Sequence, residues 1–327
     1  MAKQLRYLCT SDYEANRSGM LHLREKENGS ASPALYDSLY LENPYGDPLL
    51  GLCFDGDRLV GQENYIRQRI GLDGKTFSGP LGIHTLVDSD YRMLYGVFGK
   101  LCKLTIEAME TEASVLCAFA NEESKRYYLK YFQWEVATKV AVYKKATGFA
   151  GLNAESLLAL ARRGRLYKDV VLEQVEKFDP TVLDPVLEQV LKESRRLYVY
   201  KTSAFLNWRF LENNRYAIRG YNIWVDQELC GYCVTYDEGR ERKILDLVLL
   251  NEEAGLFEKV INTLSYLCAR EGIRRLMMYA TPGCWYEHAL RRRLFFKRWD
   301  FDFIIRKMTD EFPDGEWLLQ IGDFDVF

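Results

Sequence analysis

Two ionisable side chains at the end of one apolar segment could transfer a proton. His84 lies within the run GPLGIHTLVD, and Asp88 is its last residue. Histidine titrates near neutral pH and needs little tuning to act as a general base. Glu63, on an earlier predicted strand, is a further candidate base. A single histidine in an apolar strand is more often a packed, hydrogen-bonded residue, so an interior role for His84 stays open.

Other polar groups in the chain favour structural roles. Cys230 and Cys233 lie in the alternating run ELCGYCVTY, so their thiols should face opposite sides of a sheet. No second pair completes a zinc site, and we predict no metal centre.

Asp323 and Asp325, near the end of the chain, could recognise a cation, although an exposed acidic tail is the ordinary interpretation. The basic cluster Arg291–Arg293 is typical of a solvated helix face.

The chain repeats one order of predicted elements. Each copy reads as a strand, two helices, a three-stranded meander, a helix, a strand, a helix and a last strand. The meanders span Leu50–Val87 and Tyr216–Leu250, and the central helices follow at Gly96–Glu112 and Ala254–Glu271. This order mixes antiparallel neighbours with one right-handed crossover. We therefore predict an α/β fold, a mixed α+β sheet with helices on both faces.

Length and repetition together predict two domains. A chain of 327 residues is long for one core and suits two domains of about 150 residues each. We place the first domain at residues 1–146, a helical connector at 147–166 and the second domain at 167–327.

Composition argues against nucleic acid and membrane as partners. The formal net charge of −3 provides no electrostatic attraction to a phosphate-rich surface. No stretch approaches 18 apolar residues, and the N-terminal residues lack the apolar core of a signal peptide. Eight scattered cysteines without an export signal are expected to be reduced, which predicts a cytoplasmic protein. The sequence leaves the oligomeric state open.

Several segments resemble the GNAT superfamily of N-acetyltransferases, in a tandem arrangement. The segment LENPYGDPLLGLCFDGDRLVGQ is similar to the opening of such domains, and FANEESKRYYLKYFQW is similar to their strand-to-helix segment. LNWRF and the terminal WLLQIGDFD also resemble members of this group. The resemblance covers almost the whole chain apart from the connector. It implies two GNAT-like domains that use acetyl-CoA or another acyl-CoA as cosubstrate.

The resemblance implies a pyrophosphate site at the start of the first central helix. Backbone N–H groups and the helix dipole can bind the diphosphate of CoA there. The family pattern Arg/Gln-x-x-Gly-x-Gly/Ala corresponds to Arg92, Tyr95, Gly96 and Val97. Three residues, instead of two, separate Arg92 from Gly96, and Phe98 replaces the usual small residue.

The second copy departs further from the same pattern. Its corresponding stretch, LLNEEAGLFEKV, has no arginine, and Glu252 and Glu253 would repel a diphosphate. We therefore predict that the second domain has lost cofactor binding and that acyl-CoA binds the first.

The resemblance also assigns Tyr128 as the general acid that protonates the departing thiolate. A phenol suits this step because its pKa is close to that of a thiol. Amphipathic packing is the alternative, since the chain carries 22 tyrosines. Asn121, which begins the same helix, is assigned to the cofactor site, although a helix cap is its more ordinary role.

Three functions are consistent with these features. The first is an acyl-CoA-dependent N-acyltransferase that acts on an amine of a small metabolite or amino sugar. The second is a catalytically inactive binding or scaffold protein that kept the fold. The third, a Fem-type transferase using aminoacyl-tRNA, would need a more basic surface than this acidic chain offers.

Overall fold

The structure is a computed structural model that describes residues 5–92, 96–147, 169–212 and 217–324. Within these ranges, no helix combines the length and the apolar composition needed to cross a membrane. The predicted connector at 147–166 lies outside the described residues except for Thr147.

The first half of the chain contains eight strands and four helices within its described residues. They are β1 (Leu5–Thr10), α1 (Tyr13–Asn28), α2 (Pro33–Tyr40), β2 (Leu49–Asp55), β3 (Arg58–Ile66), β4 (Arg69–Leu72), β5 (Lys75–Ser78), β6 (Leu81–Val87), α3 (Val97–Met109), β7 (Val115–Ala118), α4 (Glu122–Tyr131) and β8 (Glu135–Ala146).

The second half follows a closely similar order. Its elements are β9 (Val170–Val175), α5 (Pro180–Glu193), β10 (Leu197–Tyr200), α6 (Ser203–Leu206), β11 (Ile218–Val225), β12 (Glu228–Glu238), β13 (Glu241–Leu249), α7 (Ala254–Arg270), β14 (Arg275–Ala280), α8 (Glu287–Arg292), β15 (Phe296–Lys307) and β16 (Trp317–Leu318). A π-helical turn, Asn207–Leu211, continues α6.

One mixed sheet of twelve strands forms the centre of the molecule. Its strand order is β1-β2-β3-β6-β7-β15-β8-β14-β13-β12-β11-β9. The β6–β7 and β13–β14 pairs are parallel, and the other neighbours are antiparallel. The prediction of a mixed α/β sheet is confirmed.

The two halves exchange strands β8 and β15. β8, from the first half, pairs with β14 of the second half and with β15. β15, from the second half, pairs with β7 of the first half. Ala146 thus lies opposite Arg275, and Lys307 opposite Val115. Backbone hydrogen bonds therefore join the two predicted domains in one sheet. The boundaries that we placed between them stay predictions.

A second, four-stranded sheet was not foreseen. The first predicted meander contains an additional hairpin, β4–β5, and β4 pairs with β10 in the order β16-β10-β4-β5. α5 ends at Glu193, and the chain enters β10 at Leu197. The small sheet therefore combines a hairpin from the first half with strands from the second.

The prediction for the two thiols of the C-x-x-C segment was wrong. β11 pairs Ile223 with Gly231 and Trp224 with Leu229, so Cys230 is an extra, bulged residue. The bulge shifts the alternation by one residue, and Cys230 and Cys233 both pack against the core that contains α7. Both thiols are free.

Both parallel strand pairs separate after a short contact. β6 and β7 pair only at Leu81–Cys117 and Gly82–Ala118, although β6 continues to Val87. β13 pairs with β14 over Glu241–Lys243 and then continues to Leu249 with β12 as its only strand partner among the described residues. Beyond these contacts, the carboxyl-terminal parts of β6 and β13 have no described strand partner on that side, which leaves an opening at the usual place for ligands in open α/β sheets.

Candidate functional site

Helix α4 holds Tyr128 beside the first opening. The Asn121 side-chain oxygen accepts hydrogen bonds from the backbone N–H groups of Glu123 (3.1 Å) and Ser124 (2.9 Å), which fixes the start of the helix. The prediction that Asn121 caps this helix is confirmed. Tyr128 lies two turns later and faces the core between α3 and the sheet.

Tyr128 forms a buried hydrogen-bonded pair with Glu63. The Tyr128 hydroxyl donates to Oε1 of Glu63 at 3.0 Å, and the Tyr65 hydroxyl donates to the same oxygen at 3.0 Å. Glu63 is fully buried, and its Oε2 has no hydrogen-bond partner within the described chain. Glu63 enters from β3 and Tyr128 from the helix that follows β7, so the pair flanks the β6–β7 opening.

Burial sets the protonation of this pair. It raises the pKa of Glu63, although hydrogen bonds from neighbouring side chains, among them Tyr65 and Tyr128, act against it. Burial, followed by the charge of Glu63, raises the pKa of Tyr128 well above its usual range. Tyr128 therefore keeps its proton at neutral pH, and Glu63 is a stronger base than an exposed carboxylate.

His84 belongs to the interior. It lies at a bulge of β6 opposite Glu63 and has a φ of 51°. Its Nδ1 is 3.0 Å from the Tyr40 hydroxyl, and its ring stacks on Tyr36 with centroids 4.4 Å apart. Burial, together with the charges of Arg24 and Arg209, lowers its pKa to about 3. His84 is thus a neutral, weakly basic imidazole at pH 7, and a catalytic role for it stays a prediction.

His84→Asn should reduce the loss of unfolding free energy that the protein shows when the pH falls from 7 to 5. The unfolded chain binds this proton near pH 6.5, whereas the folded state binds it only near pH 3. The contribution of His84 to stability is therefore complete above pH 6.5 and is lost below it, by about 2 kcal/mol at pH 5. Urea unfolding of wild type and variant at pH 7 and pH 5 measures the difference.

Asparagine suits this position because it tolerates a positive φ better than most residues. His22→Asn is the matched control, since His22 is exposed on α1. If wild type and His84→Asn lose the same free energy of unfolding between pH 7 and pH 5, the interpretation fails.

Asp88 anchors the end of β6. Its carboxylate is fully buried, bonds Lys26 Nζ at 2.5 Å and also pairs with Arg58. Burial acts to raise the pKa of Asp88, but hydrogen bonds from Lys26 and the Asp90 N–H, with the charge of Arg58, lower it. A carboxylate held in this way is a weak proton acceptor. The geometry favours a structural role, and the predicted catalytic role is not tested.

The start of α3 offers free backbone donors. Gly96, at the N-terminal end of α3, has a φ of 57°, and a side chain there would meet no heavy atom within 4 Å. Among the described residues, no side chain caps α3, and its first turn contains no acidic residue. Val97 is buried, so it presents only backbone to a ligand. Tyr95 lies outside the described residues.

Arg92 is already engaged. Its Nε donates to the Val87 carbonyl at 2.9 Å, and its Nη2 donates to Oε2 of Glu27 at 2.5 Å. It could contribute to a diphosphate site only by releasing Glu27.

Aromatic side chains fill the space between α3 and α4. The Phe98 ring lies 5.1 Å from Tyr127 and 5.3 Å from Tyr128, measured between centroids. A side chain at Gly99 would lie 2.9 Å from the Tyr127 hydroxyl. The first turn of α3 thus has open amides at its tip and a closed aromatic contact behind them.

The second opening leads to a cavity of about 460 Å³ that sequence reasoning missed. Its walls come from β10, the end of β13, the loop before α7 and the pair Trp285–Tyr286 that follows β14. Asp323, expected in an exposed tail, instead lies buried at this cavity. Asp325 lies outside the described residues.

A buried ion network lies beside the cavity. Lys201 Nζ is 2.6 Å from Asp323 Oδ1 and 2.9 Å from Asp246 Oδ2. Gln320 donates from Nε2 to Asp246 at 2.8 Å, and the Tyr232 hydroxyl donates to the same carboxylate at 3.1 Å. Burial raises the pKa of Asp323 to about 6, against the lowering effect of Lys201.

Comparison with known proteins gives matches in structure. Neither the protein-family models nor the curated proteins contain a match to this sequence. GCN5-related N-acetyltransferases from Anabaena variabilis and Kribbella flavida are each 14% identical, with a TM-score of 0.67, and align with 93% of this chain and 73% and 72% of theirs. The chain has the fold of the GCN5-related N-acetyltransferases.

A third structure with this fold is a conserved protein of unknown function from Enterococcus faecalis, described as a probable N-acyltransferase. It is 10% identical, with a TM-score of 0.68, over 93% of this chain and 73% of that one. Identities of 10–14% establish the N-acetyltransferase fold and nothing of the chemistry.

Within this N-acetyltransferase fold, the predicted site residues divide into two groups. Tyr128 and the start of α3 at Gly96 lie near one another, linked through Phe98. His84 and Asp88 lie on the strand between them but are fully engaged by other side chains. Glu63, a minor candidate from sequence, is the carboxylate that contacts Tyr128.

Proposed function

We propose that the protein transfers an acyl group from acyl-CoA, with acetyl-CoA as the reference donor, to an amine of a small molecule such as an amino sugar. The N-acetyltransferase fold supports an acyltransferase in general. The observation that carries the proposal is the Tyr128–Glu63 pair at 3.0 Å beside the separated strands β6 and β7. An acid and a base in contact are what such a transfer requires.

The first half of the chain fits acyl-CoA better than the second. The uncapped start of α3 offers backbone N–H groups to the diphosphate, and Gly96 leaves space for close approach. α7 instead follows Glu252 and Glu253, whose charges oppose a diphosphate. The thioester arm would enter between α3 and α4, where Phe98 must swing aside.

The residues of the pair can move both protons of the reaction. Attack of the amine nitrogen on the thioester carbon breaks the carbon–sulfur bond, so nitrogen loses one proton and sulfur gains one. The Tyr128 hydroxyl supplies the proton to sulfur, and Oε2 of Glu63 accepts the proton from nitrogen. Rotation of the neutral carboxyl group then turns its O–H toward the Tyr128 oxygen, and transfer of this proton restores both groups.

Isothermal titration with acetyl-CoA tests the donor. We expect a dissociation constant on the order of 10–100 µM, in the range of common substrate affinities. Phe98→Ala should bind severalfold more tightly because no aromatic ring has to be displaced. Phe296→Ala is the control, since this phenylalanine is exposed and belongs to β15. Absence of binding at 1 mM in both wild type and Phe98→Ala would end the proposal.

A second candidate function is a non-catalytic binding protein. The packing of Phe98 against Tyr127 and Tyr128 favours this alternative. These rings occupy the cleft between α3 and α4 that the thioester arm of acyl-CoA would have to enter, and a fold can persist without its chemistry. Release of CoA thiol in the presence of an amine panel separates the two functions. Turnover that depends on Tyr128 excludes the non-catalytic alternative.

A further inference from the structure

The cavity of the second half has the dimensions of a small-molecule site. Its volume of about 460 Å³ lies within the range of ligand pockets in proteins. Apolar side chains such as Val190, Leu249 and Leu318 form part of its wall, and Trp285 adds an aromatic face. It opens between strands that have separated, so ligand access needs no rupture of sheet hydrogen bonds.

Carboxylates dominate the charge of its lining. One ammonium group, Lys201, stands against five carboxylates, which are Glu193, Asp246, Glu252, Glu253 and Asp323. Lys201 is bound to the two aspartates at the inner end. The three glutamates are exposed at the mouth, where only Glu252 has a cationic partner within the described chain. That partner is Arg196, whose Nη1 lies 2.6 Å from Glu252 Oε2.

Two hydroxyl groups in the lining have unused hydrogen-bonding capacity. Tyr198 is 9% exposed, and its hydroxyl has no hydrogen-bond partner among the described residues. Tyr286 is 2% exposed, and its hydroxyl has no partner there beyond a weak interaction with the Cys284 thiol. Buried hydroxyls are ordinarily satisfied, so an unpartnered one at a cavity indicates a missing polar ligand. Their oxygens can accept hydrogen bonds from an ammonium group, and the adjacent aromatic rings favour a cation.

We propose that this cavity binds a small organic cation with at least two ammonium groups, of the linear polyamine class. One ammonium group lies among the glutamates of the mouth, and another lies deeper, against the tyrosine hydroxyls and the aspartates that Lys201 only partly neutralises. An anion such as CoA is repelled by the same lining. The proposal does not rest on the acyl transfer proposed above, which uses the first half of the chain.

Titration calorimetry of the full chain with spermidine at low ionic strength tests the proposal. We expect saturable binding that weakens several-fold when salt rises from 20 to 200 mM, because screening acts on exposed charges. The double variant Glu252→Gln/Glu253→Gln should weaken binding by roughly fivefold or more. Glu311→Gln, at an exposed glutamate outside the lining, should leave the affinity unchanged.

Arg196→Gln gives a test of opposite sign. It releases Glu252 from its ion pair and should tighten spermidine binding by a fewfold, a result that general destabilisation cannot produce. Binding of acetyl-CoA to the same samples should be unaffected by any of these variants. Absence of saturable spermidine binding at millimolar concentration overturns the proposal, as does an affinity that neither the glutamate nor the arginine variant changes.

Discussion

Tyr128→Phe is expected to lower kcat by roughly 100-fold to 1000-fold while the KM for acetyl-CoA changes by less than about twofold. The substitution removes the proton donor for the leaving thiolate and keeps the ring that packs against Phe98 and Trp134. Loss of a group that acts only in the transition state lowers kcat and kcat/KM together. Steady-state release of CoA thiol, with the amine saturating, measures the effect.

Tyr127→Phe provides the matched control for this variant. Tyr127 is the preceding residue on α4, and its ring also contacts Phe98, but of these two tyrosines only Tyr128 donates a hydrogen bond to Glu63. Near-normal turnover in Tyr127→Phe and a large loss in Tyr128→Phe would separate chemistry from packing. An equal loss in the two variants, or full activity of Tyr128→Phe, would show that Tyr128 is not the proton donor.

Local sequence signals predicted the elements well. Asn121 caps α4 as expected, since a helix cap depends on only a few neighbouring residues. The central helices at Val97–Met109 and Ala254–Arg270 follow directly from their apolar periodicity. The order of the elements also predicted a sheet that combines parallel and antiparallel strand pairs.

The exchange of β8 and β15 lay beyond such signals. Both strands alternate polar and apolar residues in a similar way. Either strand could therefore supply the backbone hydrogen bonds that the edge of either half of the sheet requires. The choice between partners depends on a competition between long-range pairings, which a local pattern does not encode. The pairing of the β4–β5 hairpin with β10 was missed for a similar reason, because β10 lies more than 100 residues away in the chain.

The candidate site shows the same division. Tyr128 was found because a family pattern marks its distance from Asn121, whereas its contact with Glu63 joins residues 65 positions apart. Asp323 looked like part of a solvated tail, since its acidic neighbours suggested exposure. The fold brings Lys201, 122 positions away in the chain, into contact with Asp323. Its ammonium group compensates the cost of burying the Asp323 carboxylate.

The two halves differ at equivalent places in the sheet. The first keeps a helix start without acidic groups, but aromatic rings close the cleft behind it. The second keeps an open cavity, but glutamates precede its helix. The central strands β6 and β13 are both bulged next to their openings, at His84 and at Leu245. The two openings therefore differ in the charged side chains beside them.

Lys201→Met is expected to cost about 3–5 kcal/mol of unfolding free energy, because it leaves two buried carboxylates without their counterion. Lys201 is 4% exposed, and its ammonium group lies within 2.9 Å of Asp246 and Asp323. Urea unfolding at pH 7 measures the loss. Lys177→Met is the matched control, since its pair with Glu212 is exposed and should contribute less than about 1 kcal/mol.

Acid should partly rescue the Lys201→Met variant. Burial already raises the pKa of Asp323 to about 6, and Lys201 opposes this rise, so removing the lysine raises that pKa further. A folded pKa above the unfolded value means that the folded state gains stability as pH falls through it. The deficit relative to wild type should therefore shrink between pH 7 and pH 5, and it should also shrink at pH 7 when Asp323→Asn is added. A loss below 1 kcal/mol, or a deficit that neither acid nor the second substitution reduces, would show that the Lys201 network does not stabilise the fold through its charges.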